Sequence, residues 1–411
     1  MRIAFVTVRV PYPLNSGGRI RSFHLLTQLS ESQRVTLITG IENDEEARAA
    51  EALREQLPAM ELRAVRVPPR NTPLRAAARA LRTPFDSLPY TWAAYRDRRF
   101  IDNVARSLGE RAYDIVHCDH VQIAHAVLAI STPPRVLNAH NVDSLLVRRL
   151  ARVQPSRVRR ALVHWQAAKV ARAERWTYRR FDGALAMSEV DRQHLTRIAP
   201  GVPVWTVPNG VDVDWFKPSP MPVDPDLVVF SGAMDWQPNA DAVVWFTRRV
   251  LPLIRRERPR TRFVVVGRSP APALVAELAA EPGVSFTGTV DDVRPHLAQA
   301  ALVVVPLRVG SGTRLKILEA WAMAKPVLST KLGAEGLPGR DGEHLVVADH
   351  PEQMAGRALE LLADPGRAAR IGLAGQQVAE AEFSWKRIAE RLVAAYEAVL
   401  ARSPSAVRAG R

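Results

Sequence analysis

Short apolar runs, each followed by a stretch of helical periodicity, succeed one another along the sequence and then begin again. The first series is RIAFVTV, RVTLITG, ELRAVRVP, YDIVHCD, PRVLNAHN, GALAMS and VPVWTVPNGVD, with helical segments such as GGRIRSFHLLTQLSES and DEEARAAEALREQL between them. The second is DLVVFSG, TRFVVVGRS, VSFTGTV, ALVVVPL, KPVLST and EHLVVAD. Runs that are apolar throughout have both faces covered, and a helix between successive strands is the connection a parallel sheet requires. The chain is therefore expected to be α/β, with two parallel sheets covered by helices. At 411 residues it is too long for one ordinary core.

The proline-rich stretch PNGVDVDWFKPSPMPVDPD suits a connection between the two. It divides the sequence into a domain of residues 1–207 and a domain of residues 208–383. An amphipathic last helix at 384–401 follows, and a tail at 402–411 reads as disordered. Hydrophobic content of 47% and charged content of 24% are those of a soluble globular protein. The single cysteine, Cys118, precludes an internal disulfide and fits a reducing compartment, so a cytoplasmic location is expected. Arg9 and the prolines after it cut the apolar start short of a signal-peptide core, and no apolar run is long enough for a membrane span. Neither series carries G-x-G-x-x-G or a Walker sequence, and the histidines are scattered, which disfavours Rossmann redox enzymes, P-loop NTPases and metal enzymes. The net charge of +15 comes mostly from arginine and favours anionic partners, though it also fits solvated basic faces.

One segment, ALVVVPLRVGSGTRLKILEAWAMAKPVLST, places Arg314 and Lys316 in the first turn of a helix that follows a strand. Cations there oppose the helix dipole. With Thr313 as N-cap and Gly310 and Gly312 opening the loop, several backbone N–H groups and two cations converge on one spot, which is a phosphate site. Glu319 stands further along in an apolar stripe, where a carboxylate needs partners such as ribose hydroxyls. A diphosphate and a ribose together mean a nucleotide. The competing reading is an ordinary helical ion pair between Glu319 and Arg314 or Lys316. In the first domain Gly17 and Gly18 open a helix directly after the first strand and offer backbone N–H groups to a phosphate.

The order of the glycine-pair loop, YDIVHCDH, AMSEVD, PNGVD, FTGTVDD and GSGTRLKILEAWAMAKPVLST resembles the retaining glycosyltransferases of family four. The resemblance implies a GT-B fold, with two Rossmann-like domains whose parallel sheets face a central cleft. It implies a nucleotide-sugar donor held mainly by the second domain, and a last helix that crosses back to the first. The family often carries two glutamates separated by seven residues. The second matches Glu319, whereas the first position is Ser311. The family's usual Arg and Lys after the first strand of the second domain are missing from FSGAMDWQPNADAVVWF, so Arg314 and Lys316 are expected to take the diphosphate. Donor contacts are expected from Gly17, Gly18, Gly288, Val290, Ser311, Gly312, Thr313, Arg314, Lys316 and Glu319, and the choice between guanine and uracil depends on backbone contacts near Gly288 to Asp292, which residue types do not fix.

Such enzymes need the leaving diphosphate stabilised more than they need a nucleophile, a task for Arg314 and Lys316 without a metal or a separate cofactor. Asp119 stands where the family commonly has a histidine, with His120 beside it. These two and His140 are candidates to orient acceptor hydroxyl or sugar. Two segments of the first domain mix arginine with Trp, Tyr and Leu, a composition that suits the anionic inner face of a membrane and a glycan or lipid-linked acceptor. The reading is a hexosyltransferase of cell-surface polysaccharide, exopolysaccharide or glycolipid synthesis, with no nucleic acid partner expected. The alternatives are a nucleotide-sugar epimerase of the same fold and a non-catalytic basic binder of membrane or nucleic acid with a degenerate donor site.

Overall fold

The computed structural model describes residues 1–402 apart from 84, 130–132, 155, 269 and 311. Ser311 and the tail beyond residue 402 therefore lie outside the described residues. The chain divides into two compact units: unit 1 is Met1–Pro208 with the chain from Ile388 on, and unit 2 is Asn209–Arg387.

Every apolar run of the sequence forms a strand. In unit 1 these are β1 (Arg2–Val6), β2 (Arg34–Ile41), β3 (Glu61–Arg66), β4 (Ile115–Cys118), β5 (Arg135–Ala139), β6 (Gly183–Ala186) and β7 (Val204–Thr206). They make one seven-stranded sheet in the order β3-β2-β1-β4-β5-β6-β7, parallel at each junction. Unit 2 holds β8 (Asp224–Ser231), β9 (Arg262–Val266), β10 (Val284–Gly288), β11 (Ala300–Val305), β12 (Val327–Ser329) and β13 (Val346–Val347). Their order is β10-β9-β8-β11-β12-β13, again all parallel. Ile3, Phe5, Leu37, Val116 and Leu137 in one sheet, and Val228, Phe230, Val303, Val305 and Leu328 in the other, are fully buried. Both faces of each sheet are covered, which is why the strands read as continuous apolar runs and not as alternating ones.

In each sheet the strand order reverses direction at one place, between β1 and β4 in unit 1 and between β8 and β11 in unit 2. At such a switch point the connections leave in opposite directions and open a crevice beyond the carboxyl ends of the strands. The last helix spans Trp385–Arg402, a residue past the expected end. From Ile388 on it belongs to unit 1. There the Tyr396 hydroxyl lies 2.7 Å from His117 Nδ1, and the His117 ring stacks on Phe5 with centroids 4.1 Å apart. No helix among the described residues is long and apolar enough to cross a membrane.

Candidate functional site

The switch point of unit 2 lies between the helix after β8, Gln237–Trp245, and the helix after β11, Leu315–Ala322. Lys316, in the first turn of the second, donates to Asn239 Oδ1 of the first at 2.9 Å. The Asn239 amide is itself oriented by donating from Nδ2 to the Ala233 carbonyl at 2.8 Å. The ammonium also lies 4.7 Å from the Phe230 ring centroid, within cation–π range. Gly232 makes this approach feasible. A Cβ there would stand 2.8 Å from Asn239 Nδ2 and 3.0 Å from Lys316 Nζ, at a φ of +153° that side chains rarely adopt.

Glu319 sits one turn beyond Lys316, and its carboxylate has no hydrogen-bond or ion-pair partner among the described residues. The ordinary ion pair with Lys316 is thus not formed. Both side chains are half-buried. Loss of surrounding water pulls Lys316 down to about 7, with Arg314 adding repulsion. The same loss of water pushes Glu319 up to about 7, only partly opposed by Lys316. An acid and a base that titrate together near neutrality, in a strand-end crevice, mark a place that gains from an arriving charge.

The loop before this helix differs from expectation. Arg314, not Thr313, is the N-cap, and no side chain caps the helix. The Thr313 hydroxyl accepts from the Asn209 backbone N–H at 3.3 Å, while Asn209 Nδ2 donates to the Thr313 carbonyl at 3.3 Å. These long-range bonds outcompete the local cap. Arg314 is buried and turns its guanidinium onto its own loop and the one after β12, donating to Gly312 O at 2.9 Å and Leu332 O at 3.4 Å. Gly310 leaves room for it, since a Cβ would lie 2.7 Å from Arg314 Nη2. Arg314 therefore shapes the loop, and Lys316 is the cation at the switch point. Gly312, Thr313, Arg314, Lys316 and Glu319 come together. Gly288 and Val290 lie at and beyond the end of β10, the edge strand. Around Gly288, at φ +70°, a Cβ would meet nothing within 4 Å.

At the switch point of unit 1 the helix Gly17–Ser30 follows β1, and Asp119 and His120 follow β4. Asp119 is fully buried. Its Oδ2 accepts from Ser22 Oγ at 2.6 Å, and its Oδ1 accepts from Asn138 Nδ2 at 2.8 Å and His140 Nε2 at 3.0 Å. His117 Nε2 lies 3.4 Å from Oδ1, and His120 Nδ1 lies 3.3 Å from Oδ2. Burial alone would push this carboxyl up, but the histidines and hydrogen bonds outweigh it and hold Asp119 well below its usual value. The rings of His120 and His140 stack with centroids 4.1 Å apart. Each turns one nitrogen to Asp119 and the other toward Gly18, where a Cβ would lie 3.8 Å from both His120 Nε2 and His140 Nδ1. Burial, then repulsion from His120, lowers His140 to about 4, so it is neutral at pH 7 and presents an acceptor when Nε2 carries its proton. Ligand atoms of Asp119, His120 and His140 lie within 4.8 Å of one another, so among the described residues these three form a group that could hold a metal ion.

Several functional neighbours escaped the sequence reading. Arg21, fully buried, donates to Pro208 O at 2.7 Å, Val207 O at 2.9 Å and Asn138 Oδ1 at 3.4 Å. Burial lowers it to about 10, against the attraction of Asp119, so it remains the local cation. Ser22 and Asn138 fix Asp119, and Asn239 fixes Lys316. Their partners are distant in sequence. Only Asn239, at the start of a helix after a strand, carried a local signal.

Residues 225–364 match the family described as Glycosyl transferases group 1, and residues 23–215 match Glycosyltransferase Family 4. Both matched families are of glycosyltransferases. A D-inositol 3-phosphate glycosyltransferase of Segniliparus rotundus is 31% identical over 246 residues, covering 53% of this chain and 53% of that protein. A GDP-mannose-dependent alpha-(1-6)-phosphatidylinositol monomannoside mannosyltransferase of Mycobacterium tuberculosis is 28% identical over 260 residues, 56% of this chain and 66% of that one. The matched stretches thus span about half to two thirds of the length of these curated relatives. Among solved structures, sucrose-phosphate synthase of Thermosynechococcus elongatus superimposes with a TM-score of 0.72 at 18% identity, covering 98% of this chain and 100% of that one. HepE of Anabaena in complex with UDP-glucose gives 0.66 at 15% identity, covering 97% and 100%. Two Rossmann-like units with these neighbours make the fold of this chain GT-B.

Proposed function

We propose that the protein transfers a sugar, with retention of anomeric configuration, from a nucleoside diphosphate donor bound by unit 2 to a hydroxyl of a glycan or lipid-linked acceptor. The observation that carries this reading is the Lys316–Glu319 turn at the switch point, where a half-buried base and acid lack each other as partners. A diphosphate supplies the charge that Lys316 lacks, and ribose hydroxyls supply donors for Glu319. The bond from the anomeric carbon to the diphosphate breaks as the bond to the acceptor oxygen forms. The acceptor proton ends on the leaving phosphate oxygen. Lys316 and the helix N-terminus stabilise the charge that develops there, without a metal. Arg314 keeps the loop in the shape that exposes these groups. In unit 1, His120 and His140 orient a hydroxyl, and buried Asp119 positions both rings. Relatives named for GDP-mannose dependence and a phosphatidylinositol-linked acceptor, and a neighbour solved with UDP-glucose, support this donor class and a lipid-linked acceptor.

A proton NMR time course of UDP-glucose or GDP-mannose tests the reading directly. Without acceptor, the enzyme is expected to release sugar slowly to water, first as the α anomer. A sugar that changes identity while still attached to its nucleotide would establish an epimerase instead, and first release of the β anomer would exclude retention.

A further inference from the structure

Many surface arginines of this basic chain are neutralised by neighbours. Arg63 pairs with Glu61 and Glu110, Arg308 with Asp241, and Arg294 with Asp292. One region of unit 1 is different. Arg75, Arg82, Arg157, Arg159 and Arg160 are exposed and have no ion-pair partner among the described residues. The same region carries large apolar side chains in the open. The helix Pro73–Arg82 buries none of its residues. Leu74, Ala78 and Leu81 recur on it at intervals of four and three, so they share one face, and Phe85 follows at the next interval. Leu81 is 78% exposed and Phe85 93%. On the helix Arg157–Tyr178, Val158, Leu162 and Trp165 also recur at four and three, and Trp165 is 44% exposed.

The two stripes meet. Lys169, one interval beyond Trp165 on the same face, donates to the carbonyl of Thr83, which ends the first helix between Leu81 and Phe85. The Lys169 ammonium also lies 5.5 Å from the Trp165 ring centroid. Arginines without an ion-pair partner therefore accompany the exposed apolar side chains on two helices that touch at Lys169 and Thr83. Exposed apolar side chains of this size are costly in water, and none of these five arginines has a carboxylate partner among the described residues.

We propose that this face of unit 1 docks on a bilayer containing anionic lipid. Leu74, Leu81, Phe85, Val158, Leu162 and Trp165 enter the boundary between headgroups and acyl chains. The unpaired arginines meet lipid phosphates, and the indole of Trp165 has the amphipathic character that interfaces favour. A nucleic acid would satisfy the arginines and leave Leu81 and Phe85 in water. A second copy of the chain would cover the leucines and bring like charges together. The face stands apart from the donor reading, because all its residues lie in unit 1 and none belongs to the nucleotide turn.

Sedimentation of the full-length protein with vesicles of phosphatidylcholine, with and without phosphatidylglycerol, tests the surface. Binding is expected only to the anionic vesicles. The double variant Arg75→Ser/Arg82→Ser should weaken it by about fivefold per arginine. The variant Leu81→Glu/Phe85→Glu should weaken it by at least about tenfold. Melting temperature and affinity for UDP or GDP should stay unchanged in both, so loss of vesicle binding and loss of nucleotide binding are read separately. Equal binding to neutral and anionic vesicles would overturn the proposal. So would binding indifferent to both variants, self-association that Leu81→Glu/Phe85→Glu abolishes, or nucleic acid binding that survives that variant.

Discussion

Replacing Lys316 by glutamate should lower the affinity for a nucleoside diphosphate by at least about a hundredfold. Hydrogen bonds to a charged group contribute about 1.5–3 kcal/mol, and the new carboxylate adds repulsion toward both the diphosphate and Glu319 one turn on. Lys316→Met separates attraction from repulsion. It should cost about tenfold to a hundredfold in affinity, the value of the charge-assisted contact alone. Its stability should move the other way. A lysine drawn down to about 7 in the folded chain loses protons that the unfolded chain keeps, so it weakens the fold as pH falls from about 10.5 toward 7. Methionine removes that burden, and the melting temperature at pH 7 should hold or rise. Weaker nucleotide binding in a protein at least as stable is the signature of a ligand group. Titration calorimetry and thermal melts of the two variants decide it, and unchanged affinity in Lys316→Glu would place the nucleotide elsewhere.

The second large effect is expected at Asp119. Asp119→Ala removes the acceptor that holds Ser22, Asn138 and His140, and leaves Arg21 charged and buried beside a cavity. Removing one partner of a buried charged network costs about 3–5 kcal/mol, enough to threaten folding. Asp119→Asn keeps the shape and removes the charge. It should fold, keep donor affinity, and lose about a hundredfold in kcat, because His120 and His140 are no longer oriented. A drop in kcat with constant donor binding is what a positioning role predicts. Wild-type kcat in Asp119→Asn would refute it. The wild-type cluster also sets an acid limit. Asp119, depressed, contributes stability that is lost as pH falls below the ordinary carboxylate range. His140, lowered to about 4, adds a loss as pH falls from about 6.5 toward 4, where the unfolded chain takes the proton first.

The strands were legible because a doubly covered parallel sheet leaves an unbroken apolar run, and all thirteen runs became strands. The helix start at Arg314 and Lys316 stood out because cations there oppose the dipole, and Glu319 because it interrupts an apolar stripe. The cap was not. Thr313 has the right chemistry, but Asn209, far away in sequence, holds its hydroxyl. Distance hid Arg21 in the same way, since its carbonyl partners lie 187 and 186 residues on. Burial hid the position of Asp119, which supports the two histidines instead of reaching beyond them. Composition placed arginines and aromatics in the first domain, but only the fold shows that the leucines at 74, 81 and 162 face outward.

The most direct test of the central claim is the proton balance of nucleotide binding. At about pH 8, Lys316 in the free protein is mostly neutral, and a diphosphate beside it should raise its proton affinity. Calorimetry of UDP and GDP in buffers of different ionisation enthalpy should therefore show uptake approaching one proton, and Lys316→Met should abolish it. Full-affinity binding with no proton taken up would mean that the diphosphate does not meet Lys316.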